Sequence, residues 1–588
     1  MTGVCLIGEP VSEYAIRRTN TDIHVTGQRV RHQADNHGRR TMRRRGAASF
    51  IGMARGLALL ILLGPAAVLL VSVAEALVDQ GPSLLRSAIP NARTLVLLVR
   101  SSALAAAVAV SCMVAGTLAA TVLAPRRRLF SVIRLFFPVL IVVPPYLHAV
   151  IWTTCVFALN TWLDAHGLRF LRLDGWCGTW WAEFMALLPL ATGLALVSLE
   201  SIDPALIAAA TTSRAPSAVL SEIVVPLAAP YLAAGAGILF LISFLDYSVP
   251  SLFTVNVYAL EIFSRYSADG RAEVAALVSL PVLVVAWLVI RAVLSPLRHA
   301  ASTPHRRVAP PPGMALSGPW PAWLAAGRFS AFALLAGQAI VPMLWLALMC
   351  GSASSIVRAG ANARHEIAVT CEIALACAFL AVALGPVVAE RLVKRSFRAK
   401  TQRTQRTTQF WWFAVCVAFA MPGPLAGVGV ARFSTWCPAL REWLWAPVWA
   451  NASRFLPIAA FIVYAHLRRV DPLLLDAARL YHRNWLHGLL RVQLPLAMPA
   501  LLMVAAVCMV LPMGELGATI IVAPPGASTL MMRLYNLLHY GESKEVAALC
   551  VVLMALALLA AGVTMAAVRA VARHAPPPEV CDRRDSTQ

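Results

Sequence analysis

Charged residues are scarce in this chain, while apolar residues are in large excess. Only 13% of the 588 residues are charged and 59% are hydrophobic, whereas soluble proteins carry roughly 25% charged residues. The mean hydropathy is +0.71. This composition excludes a soluble globular enzyme and predicts an integral membrane protein, whose length corresponds to membrane spans rather than to soluble domains.

Motifs that carry chemistry are also absent. The sequence has no GxxxxGK[ST] phosphate loop, so the chain itself is not expected to hydrolyse ATP. Its 13 His include no HExxH, and its 12 Cys include no CxxC. We therefore predict no catalytic residues, no metal site and no bound cofactor. Cys177 and Cys437 fall in predicted external loops, and the sequence leaves open whether they pair or remain free thiols.

Acidic residues and lysine are few, so the net charge of +22 comes almost entirely from arginine. In a soluble protein this charge would indicate nucleic acid. Here most of the arginines lie between apolar runs, where positive residues mark the cytoplasmic side of a membrane. We therefore predict no nucleic-acid partner and place both termini in the cytoplasm.

Long apolar runs are plentiful, and twelve reach the length of about 20 residues that a membrane span requires. Helices are expected, because lipid cannot satisfy free backbone groups. The first six runs are 56–78, 101–124, 135–159, 180–199, 231–253 and 274–294. The second six are 331–350, 367–389, 410–430, 447–467, 500–522 and 546–571.

The second half of the chain repeats the first. Residues 203–209, DPALIAA, are similar to residues 471–478, DPLLLDAA. Pro226 and Pro495 are 269 positions apart, and so are Asp246 and Glu515. With six spans in each half, the two copies are predicted to be parallel. The predicted fold class is therefore all-α, with about twelve transmembrane helices in two parallel six-helix repeats.

Five segments follow from this organisation. They are a basic cytoplasmic tail at 1–55, a first half at 56–297, a cytoplasmic linker at 298–329, a second half at 330–572 and a cytoplasmic tail at 573–588.

Each half has a polar island between its fourth and fifth spans. An Asp-Pro turn followed by alanines predicts a short helix, and the later proline ends it before the next span. The positions of interest in the first island are Ile207, Ala208, Ala209, Ser213, Val225 and Pro226. Those in the second island are Asp476, Ala477, Ala478, His482, Leu494 and Pro495.

The second island has Asp476-Ala477-Ala478, then fifteen intervening residues, then Leu494-Pro495. It resembles the EAA loop of ATP-binding-cassette (ABC) importer permeases. The resemblance covers roughly residues 56–572, and the presence of two such loops in one chain is similar to the fused, two-half permeases. It implies two loops that dock on a cytoplasmic ABC ATPase dimer, which uses the ATP, and a periplasmic binding protein that delivers the substrate. It also implies a bacterial inner membrane as the location. Residues 515–519, ELGAT, and 537–541, LLHYG, are most similar to the ferric-iron branch; thiamine, phosphonate and polyamine importers are the alternatives.

The two islands differ from one another. The acid of the family motif is Asp476 in the second copy. The first copy has Ile207 there when positions are counted back from Pro226, or Ala208 when they are counted forward from Asp203, so it lacks the acid in either register. The family's glycine corresponds to Ser213 and His482. The two loops are therefore expected to hold the ATPase unequally.

Asp246 and Glu515 occupy equivalent places in the span after each island. An acid inside a span is costly in lipid, so it should face protein or a water-filled path. One hypothesis is that the pair lines the translocation path and favours a cation. The other is that each acid caps or pairs locally near a helix break.

Two other classes of protein remain as alternatives. A secondary transporter of the major facilitator type also has two parallel six-span halves, but it usually carries Gly and Asp in the loop between spans two and three. Here that loop is residues 125–130, PRRRLF. A membrane-embedded enzyme would need a polar catalytic cluster, which the sequence does not show.

Overall fold

A computed structural model describes residues 49, 51–124, 143–300, 321–393, 402–438, 442–468, 470, 489–540 and 543–574. Most of the predicted tails and of the predicted linker lies outside these residues. The chain divides into two units, Met1–Ala58 and Leu59–Gln588. The first unit contributes only the start of the first helix, and every contact discussed below lies within the second.

The first half is built from helices joined by short turns. Its helices are α1 Ile51–Ala88, α2 Ala92–Leu123, α3 Pro145–Ala165, α4 Gly175–Glu200, α5 Pro204–Thr211, α6 Val225–Phe244, α7 Ser248–Leu252, α8 Tyr258–Asp269 and α9 Ala272–Ala300. A five-residue π-helix, Leu220–Val224, leads directly into α6.

The second half contains ten helices within the described residues. They are α10 Ala322–Cys350, α11 Ala353–Asn362, α12 Arg364–Leu392, α13 Gln402–Ala420, α14 Gly423–Trp436, α15 Trp445–Leu467, α16 Leu494–Val510, α17 Thr519–Val522, α18 Leu530–Tyr540 and α19 Ser543–His574. A second π-helix, Leu489–Gln493, leads into α16. All regular structure in the described residues is helical, which confirms the prediction of an all-α integral membrane protein.

The order of elements is duplicated between the two halves. In each half, a shorter helix begins after a proline (α3 and α14) and a long helix follows it (α4 and α15). A π-helix and then a helix with proline in its first turn (α6 and α16) come next. A short helix, an amphipathic helix and a final long helix then follow in each half. Proline at the start of α6 and α16 removes a backbone donor, which explains why the same π-turn precedes both.

The described part of the chain contains fewer continuous spans than the twelve predicted for the whole sequence. Among the described residues, ten helices are long and apolar enough to cross a membrane, or eleven if one bent pair is counted as a span. That pair, Arg406–Ala420 and Gly423–Trp436, bends by 103°. The ninth span was therefore wrongly predicted as continuous. Pro422 and Pro424 explain the break, since proline cannot continue a helical ladder. The third predicted span lies partly outside the described residues, and α3 begins after Pro144.

The fifth and eleventh spans were predicted too long. The helix α6 ends at Phe244 and α16 ends at Val510, followed by a 3-10 turn, Leu511–Gly514. Asp246 and Glu515 therefore lie in the breaks that follow these helices, and not inside continuous helices as the sequence predicted. Each acid hydrogen-bonds to backbone donors of the short helix after the break, which stabilises the interruption.

The first helix of each half packs against the other half. Arg432 on α14 hydrogen-bonds to Glu75 on α1 at 3.2 Å. In the reverse direction, Arg328 on α10 donates to Thr121 on α2 at 2.9 Å. Trp345 on α10 likewise donates to the Thr154 hydroxyl on α3 at 2.9 Å. This exchange ties the halves together at their peripheries and leaves the broken helices facing one another in the middle.

Candidate functional site

A cavity of about 180 Å³ lies where the broken helices of the two halves meet. Its walls come from the breaks after α6 and α16, the starts of α3 and α14, and the middle of α15. This volume is far larger than one water molecule requires. The prolines at the starts of α3 and α14 (Pro144, Pro145 and Pro424) and the repeated acids Asp246 and Glu515 are therefore brought together at a single site.

Asp246 lines this cavity and also caps α7. Its Oδ1 accepts hydrogen bonds from the Ser248 backbone N–H at 3.1 Å and from the Ser248 hydroxyl at 2.7 Å. Its Oδ2 accepts from the Val249 backbone N–H at 3.2 Å. The local-capping hypothesis is thus correct for Asp246, and the same side chain remains part of the cavity wall.

Glu515 combines a local hydrogen bond with an ion pair. Its carboxylate accepts from the Ala518 backbone N–H at 3.0 Å and pairs with Arg454, which projects from α15. Gly423 makes room for this arginine, because a Cβ at that position would lie 2.7 Å from Arg454 Nη1. The two acids are also close enough for the charge of Glu515 to act on Asp246.

Close packing surrounds the polar groups. A Cβ at Gly514 would lie 2.5 Å from Pro144 Cγ, and one at Gly517 would lie 2.9 Å from Tyr247 Cε1. The ring of Tyr247 stacks on Phe263 at a centroid separation of 5.3 Å. The two halves are thus in direct contact through small residues around the cavity, so it opens only if they move apart.

Sequence reasoning missed two residues at this site. Arg454 was not singled out from the sequence, and its partner Glu515 is 61 positions away. Glu183 on α4 is 1% exposed, accepts a hydrogen bond from the Ser243 hydroxyl, and lies within electrostatic range of Asp246. Charged residues are rare inside apolar runs, and this rarity could have singled out both residues from the sequence.

The first polar island forms the short helix α5, as predicted. Ile207 packs against the hydrophobic core beside Ala210, while Ala208, Ala209 and Ser213 are exposed. The helix is thus anchored by one face and presents small side chains on the other. In the register counted back from Pro226, the position that holds an acid in the family motif is therefore Ile207, which packs on the core in this copy.

The end of the first island is also ordered. Arg214 forms an ion pair with Glu222 across the turn that follows α5. Val225 is half-buried and Pro226 is exposed at the start of α6. The pair is exposed on both sides, so it contributes little stability and serves mainly to orient the turn.

Only the end of the second island can be compared. Asp476, Ala477, Ala478 and His482 lie outside the described residues. Leu494 is half-buried and Pro495 exposed at the start of α16, which matches Val225 and Pro226 in the first copy.

Two remaining predictions concern cysteines and metals. Cys177 and Cys437 are free thiols. Among the residues that the structure describes, no group of three or more His, Cys, Asp or Glu side chains is arranged to hold a metal ion.

No protein-family model matches the chain. Among curated proteins, it is 32% identical over 174 residues to a protein of Salmonella typhimurium provisionally named 2-aminoethylphosphonate transport system permease protein PhnV. That match covers 29% of this chain and 62% of the relative. The chain is also 29% identical over 115 residues to the spermidine/putrescine transport system permease protein PotC of Escherichia coli, which covers 20% of this chain and 44% of the relative.

The matched regions span less than two thirds of each relative, and each relative is about half as long as this chain. Both relatives are permease subunits of transport systems, in agreement with the resemblance found in the sequence. Neither of these two is a ferric-iron permease.

Proposed function

We propose that this chain is the membrane permease of an ABC importer in a bacterial inner membrane, with both permease halves fused in one polypeptide. The observation that carries the proposal is the duplicated order of helices around one central cavity. The similarity to permeases of about half this length supports it, because each relative then corresponds to one half. In this proposal the chain is a transport subunit without catalytic residues, and a separate ATPase hydrolyses ATP.

The central cavity is the constriction of the proposed translocation path. Asp246 from one half and Arg454 with Glu515 from the other line it. Alternating access then corresponds to separation of the halves on one side of the cavity while they close on the other. The contacts at Gly514 and Gly517 are the ones that this movement breaks and forms again.

The two polar islands are the proposed docking loops for the ATPase dimer. In the first, exposed Ala208 and Ala209 allow a partner surface to approach closely. Ile207 and Ala210 join the same helix to the core that contains α2 and α4. A displacement of α5 by the ATPase is therefore transmitted directly to the long helices of the first half. Residues Asp476 to His482 would act in the same way in the second half.

The substrate class in this proposal follows the relatives rather than the ferric-iron expectation. The compounds named for the two relatives, 2-aminoethylphosphonate and the polyamines spermidine and putrescine, share an aliphatic amine that is protonated at neutral pH. We propose that the cargo of this chain also carries a protonated aliphatic amine. Ferric iron, the first choice from the sequence, has no support from these relatives and remains only a sequence-based expectation.

Copurification tests the proposed class. The tagged full chain, isolated from its native host in mild detergent, is expected to bring down an ATPase with a phosphate loop and a periplasmic binding protein. In proteoliposomes, uptake is expected only when both partners and ATP are present. Uptake driven by a proton gradient with the chain alone would instead establish a secondary transporter. A reporter fused after Gln588 tests the proposed topology and is expected to be active in the cytoplasm.

A further inference from the structure

Among the residues that the structure describes, three charged side chains line the cavity between the halves: Asp246, Glu515 and Arg454. Their formal charges add up to minus one. The arginine pairs with Glu515, which leaves the charge of Asp246 unbalanced within the cavity wall. Apolar side chains such as Leu245, Phe455 and Val510 line the same space. They lower the local dielectric, so an unbalanced charge acts more strongly here than in water.

Within the described part of the chain, the Asp246 carboxylate also keeps one acceptor position without a donor. The equivalent acid, Glu515, has a cationic partner, whereas the hydrogen-bond partners of Asp246 are the neutral donors of Ser248 and Val249. A carboxylate offers about four lone pairs, and these contacts occupy three. Asp246 and Glu515 occupy equivalent positions but differ in their partners, so the vacant acceptor lies on the first half of the chain.

Tyr247 completes the polar wall of the cavity. Its side chain is 4% exposed, and its phenol interacts electrostatically with Glu515, Asp246 and Arg454. Tyr247 and Ser248 thus add two neutral, hydroxyl-bearing residues to the wall that contains Asp246.

We propose that this cavity binds the protonated primary amine of the cargo, with the Asp246 carboxylate as its ionic partner. An ammonium group presents three N–H donors, which suit one carboxylate and nearby hydroxyl oxygens. A bare metal ion is a poor fit, because hard cations take six or more oxygen ligands, several of them anionic. The assignment rests on the proposed function, since it names the group that the translocation path selects. Arg454 holds Glu515 and keeps the charge of the cavity at minus one.

Charge-selective labelling of the cavity tests this assignment without any knowledge of partners. Ser248→Cys is introduced into the full chain, which is purified in detergent and treated with 2-aminoethyl or 2-sulfonatoethyl methanethiosulfonate. Peptide mass spectrometry measures the labelling rate at each cysteine. The exposed native Cys177 provides the internal control, because it reports the intrinsic reactivity of the two reagents outside the cavity.

The expected result is a graded preference for the cationic reagent. Relative to Cys177, the ratio of cationic to anionic rates at position 248 should be at least about tenfold, the factor that one unit charge roughly 6 Å away gives even at the dielectric constant of water. Adding Asp246→Asn should reduce the ratio to about one. Adding Arg454→Gln should instead raise it about tenfold further, because the cavity then carries two negative charges. A ratio that Asp246→Asn leaves unchanged overturns the proposal, as does the absence of cationic labelling at position 248.

A parallel uptake experiment separates this proposal from the proposed function. Cells that express the wild type or Asp246→Asn are given radiolabelled putrescine and 2-aminoethylphosphonate. Loss of uptake in the variant, with normal expression, supports both proposals. Selective labelling of the cavity in cells that take up neither compound supports the amine site and counts against the proposed cargo.

Discussion

The ion pair between Arg454 and Glu515 is the strongest electrostatic contact at the centre of the molecule, and its contribution can be measured. The two side chains are 23% and 12% exposed, so the pair is neither on the surface nor fully buried. Exposed pairs contribute about 0–1 kcal/mol, and breaking a buried pair costs about 3–5 kcal/mol. We therefore expect Arg454→Gln and Glu515→Gln each to lower the free energy of unfolding by about 2 kcal/mol.

The double variant should lose less than the sum of the two single losses. Each single change leaves one charge unpaired beside the cavity, whereas the double change removes both charges. We expect a coupling energy of about 1–2 kcal/mol. The free energy of unfolding in mixed detergent micelles can be measured for the wild type, the two single variants and the double variant. The fluorescence of the 16 tryptophans reports the unfolding.

A matched control is available at the periphery. Arg432 and Glu75 also form an ion pair between the halves, with a nitrogen–oxygen distance of 3.2 Å and side chains 36% and 47% exposed. The same cycle at this pair should give a coupling of at most about 0.5 kcal/mol, because water screens it. Additivity within about 0.5 kcal/mol at the central pair would refute our account of the site.

Three further predictions concern packing, buried polarity and the docking loops. Gly116→Ala should destabilise the protein by about 1–3 kcal/mol, since the new Cβ would lie 2.8 Å from the backbone of α4; Gly337→Ala, where no atom lies within 4 Å, should be neutral in the same thermal unfolding assay. Glu183→Gln keeps an acceptor for the Ser243 hydroxyl and should cost less than about 1 kcal/mol, while Glu183→Ala should cost about 2–3 kcal/mol; equal losses would contradict this role. Ala477→Arg should uncouple ATP hydrolysis from uptake more than Ala208→Arg, and equal effects would show that the sequence difference between the loops has no mechanical consequence.

The membrane class, the repeat and the approximate spans could all be predicted from the sequence. The constant offset of 269 residues correctly paired Asp246 with Glu515, because both follow equivalent helices and both cap the next short one. The third predicted span of each half also contains paired prolines, Pro144 and Pro145 in the first half and Pro422 and Pro424 in the second. The sequence did not show that these prolines and acids interrupt their spans, since the apolar runs continue through the breaks without a change in hydropathy.

The neighbours of the acids could not be predicted. Arg454 reaches Glu515 only because Gly423, on a different helix, leaves space for the guanidinium group. Glu183 finds Ser243 sixty positions away. Such contacts depend on how helices pack against one another, and a hydrophobicity pattern sets only which segments are helical and apolar.

The two halves share one architecture but differ wherever they carry polar groups. Among the described residues, Asp246 has no cationic partner, while Glu515 is paired with Arg454. At the docking loops, the first copy has Ile207 where the second has Asp476. If the two halves were identical, the same residues would have to function on both sides of the two-fold arrangement. In a single polypeptide the first half always meets the second, so each half can specialise in its own position. The unequal cavity and the unequal loops are consistent with that freedom, and they predict that a chain with two first halves would lose the ion pair at its centre.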